Sequence, residues 1–128
     1  MEYKRLLVDT SVFIDFLRQK DKTQTALFRI PDEVALAVSA VTRFELFAGA
    51  TNEGKWQDVK LLTDDLQVLP FTDEVAKIAA RIALDLRKKN KMIEFRDIFI
   101  ASTAIANRLP VKTFNEKHFN RIEGLVMV

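Results

Sequence analysis

The chain contains no cysteine, a single histidine, three glycines and three prolines among 128 residues. Without cysteine there is no disulfide framework, no thiolate zinc site and no thiol nucleophile. One histidine, His118, excludes any site built on two imidazoles. Scarce glycine and proline exclude collagen-like and linker-rich chains. Long apolar runs are also missing. The longest uncharged stretch, Ile98–Asn107, has ten residues, well short of the ~18 that a membrane span needs. The first residues lead into only three apolar positions before Asp9, which lacks the apolar segment of a secretory signal. An intracellular, cytoplasmic protein without membrane association is the expectation.

What is present suits one globular domain spanning residues 1–128. Apolar residues make up 48% of the chain and charged residues 30%, a balance that supports a packed core. The net charge of +2 is unevenly spread: residues 1–84 carry −2 and residues 85–128 carry +4. The segment Arg87–Lys91 supplies most of that asymmetry. It fits a helix C-terminus, where cations complement the dipole; contact with a polyanion is the other reading.

Short apolar runs alternate with helical patterns, the signature of an α/β domain with a parallel sheet. Strands are expected at Leu6–Val8, Val34–Val38, Leu66–Leu69, Val111–Phe114 and Leu125–Val128. Helices are expected over 11–17, 23–30, from the second strand to about Ala48, and over 55–65, 73–90 and 96–108, with a helical turn near 117–121. The stripe Val75, Ile78, Ala79, Ile82, Ala83 and Leu86 makes the helix over 73–90 the clearest.

Ligands of open parallel sheets bind beyond the carboxyl ends of the strands. Asp9 directly follows the first strand and Asn115 the fourth. Glu45 lies on the helix after the second strand, and Asp97 opens the helix before the fourth. Gathered at one sheet edge, three carboxylates repel one another. A divalent cation relieves that repulsion, and an all-oxygen donor set suits Mg²⁺ or Mn²⁺. Such a centre supports attack of water on a phosphodiester. Each acid also has a structural reading: Asp9 as a helix cap, Glu45 as part of a Thr42-x-x-Glu45 capping box, and Asp97 as a favourable charge at a helix start. His118 near a turn reads as a surface or packing residue, and Asp15 as a solvated one.

Four segments, in order, resemble the motifs of PIN-domain nucleases, and of VapC-type toxins in particular: Leu6–Arg18 (LLVDTSVFIDFLR), Ser39–Leu46 (SAVTRFEL), Arg96–Ile105 (RDIFIASTAI) and Thr113–Phe119 (TFNEKHF). The resemblance implies a PIN-like three-layer fold, a mostly parallel sheet of about five strands flanked by helices. It implies an Mg²⁺- or Mn²⁺-dependent endoribonuclease with Asp9, Glu45 and Asp97 as metal-binding acids and Asn115 at the fourth catalytic position. Many relatives carry Asp there, so a second metal is in question, with Glu116 as a substitute donor. Ser11 and Thr113 match small polar positions around such sites, and Arg43, Arg96, Lys88 and Lys89 are candidates to hold RNA. The resemblance further implies a toxin of a type II toxin–antitoxin pair, homodimeric and inhibited by a VapB-like antitoxin. The neutral Asn115 motivates an alternative, a catalytically weak PIN scaffold that binds nucleic acid or antitoxin as a regulatory module. Phosphoryl transfer through an Asp9 nucleophile is disfavoured, because no second Asp stands two residues on and no Gly-rich phosphate loop occurs.

Overall fold

A computed structural model describes residues 3–128. Four strands form one parallel sheet: β1 (Arg5–Val8), β2 (Ala35–Ser39), β3 (Gln67–Leu69) and β4 (Val111–Lys112), in the order β3-β2-β1-β4. Among the described residues seven helices surround it: α1 (Thr10–Arg18), α2 (Ala26–Arg29), α3 (Ala40–Ala48), α4 (Glu53–Thr63), α5 (Asp73–Lys88), α6 (Phe95–Ala106) and α7 (Glu116–Phe119). A 3₁₀ turn at Lys22–Gln24 precedes α2.

Successive side chains of β1 point to opposite faces, and both faces are covered. Leu6 and Val8 enter a core with Val12 and Phe13 of α1, Leu27, Leu46 and Val59. Leu7 enters the opposite core with Leu86 of α5, Ile98 and Ala101 of α6, and Phe119. This buries β1 as its uninterrupted apolar run implies and gives the three-layer α/β arrangement that the resemblance implies. Chain order sets the functional edge. From β1 the chain moves outward to β2 and β3, then crosses back to place β4 on the other side of β1. The carboxyl ends of β1 and β4 therefore flank the switch point where such sheets bind ligands.

Two expectations are corrected. The fifth strand at Leu125–Val128 is reduced to a single parallel bridge, Val111 with Met127. The fourth strand ends at Lys112 rather than Phe114. The Thr113 hydroxyl accepts from the Asn115 N–H (2.8 Å) and turns the chain out of the sheet.

Among the described residues no helix is long and apolar enough to cross a membrane. Phe13 is fully buried, whereas Leu61 on α4 is 81% exposed. Phe13→Ala is expected to lower unfolding stability by about 3–5 kcal/mol, and Leu61→Ala to change it by less than about 0.5 kcal/mol, both measured by urea denaturation.

Candidate active site

Asp9 is the N-cap residue of α1, yet its side chain makes no capping bond. Its Oδ2 instead accepts hydrogen bonds from Ser11 Oγ (2.8 Å) and Thr113 Oγ1 (2.8 Å). The bond from Thr113 spans 104 residues and ties the end of β1 to the loop after β4. Asp97 stands in the first turn of α6, buried like Asp9. Its Oδ2 accepts from Asn115 Nδ2 at 3.2 Å and lies 3.4 Å from His118 Nδ1. Burial pushes the Asp97 carboxyl above the usual carboxylate range; the hydrogen bond from His118 opposes this, and the nearby charge of Asp9 pushes it further up. Each of the two carboxylates keeps Oδ1 free of protein donors among the described residues.

Glu45 borders this pair but faces elsewhere. Its Oε1 accepts from the Thr10 hydroxyl (2.7 Å), which also lies 2.9 Å from the Thr42 hydroxyl. Its Oε2 pairs with Arg96 Nη1 at 2.6 Å. The hydrogen bond to Glu45 outweighs desolvation and strengthens the hold of the Arg96 guanidinium on its proton. Glu94 Oε2 engages Arg96 Nε at 2.9 Å. The capping box that is the structural alternative for Glu45, Thr42-x-x-Glu45, is not formed. The helix follows β2 directly, as expected, with Ser39 as N-cap accepting from the Thr42 N–H (3.0 Å), and Glu45 turns toward Thr10 and Arg96. Among the described residues no three acids or histidines are grouped closely enough to hold a metal ion. The structure brings Asp9 and Asp97 together and holds Glu45 in an ion pair at their border.

Other candidates divide clearly. Ser11, Thr113, Asn115 and Arg96 surround the acids, as expected from the motifs. Arg43 does not. It bonds the Thr63 carbonyl (3.3 Å) and Asp64 Oδ1 (3.2 Å), tying α3 to the end of α4. Two residues along a helix are about 200° apart, so Arg43 and Glu45 face opposite ways. Lys89 is engaged by Asp85 (3.0 Å) and Glu123 (2.9 Å), which supports the helix-terminus reading of the basic segment. Lys88 and Glu116 are exposed. His118 is the residue the sequence undervalued: its Nδ1 lies 2.9 Å from Asn115 Nδ2 and approaches Asp97. Its place three residues after Asn115, on one turn of α7, was the available signal.

An open parallel α/β domain with two buried, mutually repelling carboxylates at its switch point defines a class of acidic-site domains suited to a cation and a phosphate. The chain belongs to the PIN-domain family, whose model matches residues 6–125. It is 31% identical over 128 residues to Ribonuclease VapC5 of Mycobacterium tuberculosis, covering 95% of this chain and 90% of the relative. It is 28% identical over 122 residues to Ribonuclease VapC1 of Methanocaldococcus jannaschii, covering 95% of this chain and 84% of that one. Its fold is similar to a chain of VapBC-1 from nontypeable Haemophilus influenzae, with a TM-score of 0.83, 25% identity, and coverage of 97% and 96%.

The donor set fits a hard divalent cation. Both buried carboxylates leave an oxygen open, and Mg²⁺ is typically held by one or two carboxylates, with waters and phosphate completing its shell. In the metal-free protein the same proximity is unfavourable. Asp97→Asn is therefore expected to raise the urea midpoint at neutral pH in EDTA, because it removes a buried charge next to Asp9. An unchanged or lowered midpoint would show that the two carboxylates do not repel in the folded state.

Proposed function

We propose that this chain is an Mg²⁺- or Mn²⁺-dependent endoribonuclease, the toxin of a type II toxin–antitoxin pair, acting in the cytoplasm. The observation that carries the proposal is the pairing of Asp9 with Asp97, each with an open Oδ1, at the switch point of a PIN fold. The similarity to VapC ribonucleases supports the reaction class, and the likeness to toxin–antitoxin complexes supports a VapB-like antitoxin as partner. The exposed rings of Phe71 and Phe95, both packed near the half-buried Phe99 with Phe71–Phe99 centroids 4.9 Å apart, support a homodimer through the α5–α6 face.

Asp9 and Asp97 would hold the cation. When bound, it supplies Lewis-acid polarisation of the phosphoryl group and eases deprotonation of the attacking water. Ser11 and Thr113 fix the Asp9 carboxylate so that its open oxygen keeps one direction. Asn115 does the same for Asp97 through its amide N–H, a task that a carboxylate at this position would not perform. An Asp there would add a third negative charge beside Asp9 and Asp97. Arg96, half exposed and tethered by Glu45, presents remaining guanidinium donors toward solvent at the border of the site, where they suit a phosphate of the RNA. Glu45 serves in this state as the anchor of Arg96.

Purified protein should cleave RNA in Mg²⁺ or Mn²⁺ and lose that activity in EDTA. Asp9→Ala and Asp97→Ala should each lower cleavage by more than the ~10–100-fold typical of residues that only orient ligands, and Asp97→Ala should weaken Mn²⁺ binding in calorimetry. Equal cleavage by the wild type and both variants would remove the assignment. RNA or antitoxin binding with no cleavage by the wild type would favour the regulatory-module reading that Asn115 motivates.

Arg96→Gln should lower cleavage and tighten Mn²⁺ binding, because it removes a cation from the border of the site and releases Glu45. The tightening should be smaller in a Glu45→Gln background. Equal tightening in both backgrounds would show that Arg96 acts by its charge alone.

A further inference from the structure

Beyond the acidic pair lies a cleft of about 530 Å³, bounded by Leu6, Ile30, Pro31 and Phe114, with Arg29 and Lys112 at its polar positions. Its size falls in the ~300–1,000 Å³ range of small-ligand clefts. It adjoins the active site through three elements. Lys112 and Phe114 flank Thr113, which holds Asp9. Asp15, also on the cleft wall, lies one helical turn from Ser11 on the same face of α1. The Phe114 N–H donates to Ser11 Oγ (3.2 Å), and Ser11 Oγ in turn donates to Asp9 (2.8 Å). Phe114 is thus a half-exposed aromatic ring on backbone pinned to the catalytic carboxylate, whereas Phe119, five residues on, is fully buried.

We propose that this cleft is a nucleobase subsite for single-stranded RNA, with Phe114 as its stacking platform. The proposal rests on the ribonuclease reading above and deepens it. Phe114 lies between Thr113 and Asn115, the two residues that hold the acids, and every base offers a π-face to such a ring. Arg29 and Lys112 have no carboxylate partner among the described residues; the Arg29 guanidinium donates to the Gln24 side chain at 3.3 Å. They are placed to follow the phosphate backbone. The Asp15 carboxylate accepts from Gln19 at 3.3 Å and offsets one of the two positive side-chain charges on the cleft wall. An aromatic platform with adjoining cations at the edge of a phosphodiester-cleaving centre is the chemistry that recognises an unpaired nucleotide. Stacking tolerates any base, so the subsite would set where the strand lies and would read sequence weakly.

The test uses the full-length protein in EDTA, where RNA is bound without being cut. Short single-stranded oligoribonucleotides carry 2-aminopurine at each position in turn, and binding is followed by its fluorescence and by anisotropy. One position should be quenched on the wild type, lose its quenching in Phe114→Leu and regain it in Phe114→Trp. Phe114→Ala should weaken binding by about tenfold, within the range known for base–aromatic stacking. Lys112→Gln and Arg29→Gln should each reduce the slope of log K against log salt by about 0.7. Mn²⁺ affinity in Phe114→Leu should match the wild type. Unchanged fluorescence and affinity in Phe114→Leu, with a wild type that cuts RNA, would overturn the subsite and leave the nuclease reading standing. Impaired Mn²⁺ binding in Phe114→Leu would also overturn it, since Phe114 would then only prop the acids. A wild type that neither binds nor cuts RNA would remove both.

Discussion

Asp9 and Asp97 are two buried acids near enough for the charge of one to act on the other, and much of the surrounding structure serves to keep them there. Their repulsion opposes folding, so each must be held by something else. The parallel sheet supplies the first restraint, because β1 is buried on both faces and Asp9 follows it directly. A nearly uncharged, well-buried α6 supplies the second by bringing Asp97 against the same edge. The loop after β4 supplies the third. Thr113 and Asn115, two residues apart, reach one acid each.

This division of labour explains the neutral side chain at position 115. The Asn amide donates to Asp97 through Nδ2, which a carboxylate does only when protonated. The amide is thus a neutral clamp on a buried carboxylate. Glu45 and Arg96 form a separate charge-balanced unit at the border, 51 residues apart in sequence and joined directly in space. The acidic centre is therefore a buried pair with an adjacent ion pair, rather than three equivalent carboxylates.

Much of this was visible in the residues alone. The β1 run, the apolar stripe of α5 and the four motif segments are local patterns, and local patterns survive folding when each agrees with the whole. What escaped was of two kinds. Partner choice across long separations, such as Arg96 with Glu45 or Thr113 with Asp9, has no local signature. Helix phase, by contrast, was accessible: Arg43 lies opposite Glu45 wherever the helix starts. The last strand was overestimated because Leu125–Val128 has strand-like composition, and only the edge position, beside a two-residue β4, limits it to one bridge.

The sheet's outer margins have a bearing on how the chain behaves among its own copies. β3 offers three residues and stops at Pro70, and β4 offers two whose free side is partly covered by residues 126–128. Unpaired backbone along a long flat margin templates the addition of foreign strands, and short or covered margins suppress it. A domain with so little free margin is protected against amyloid-like stacking.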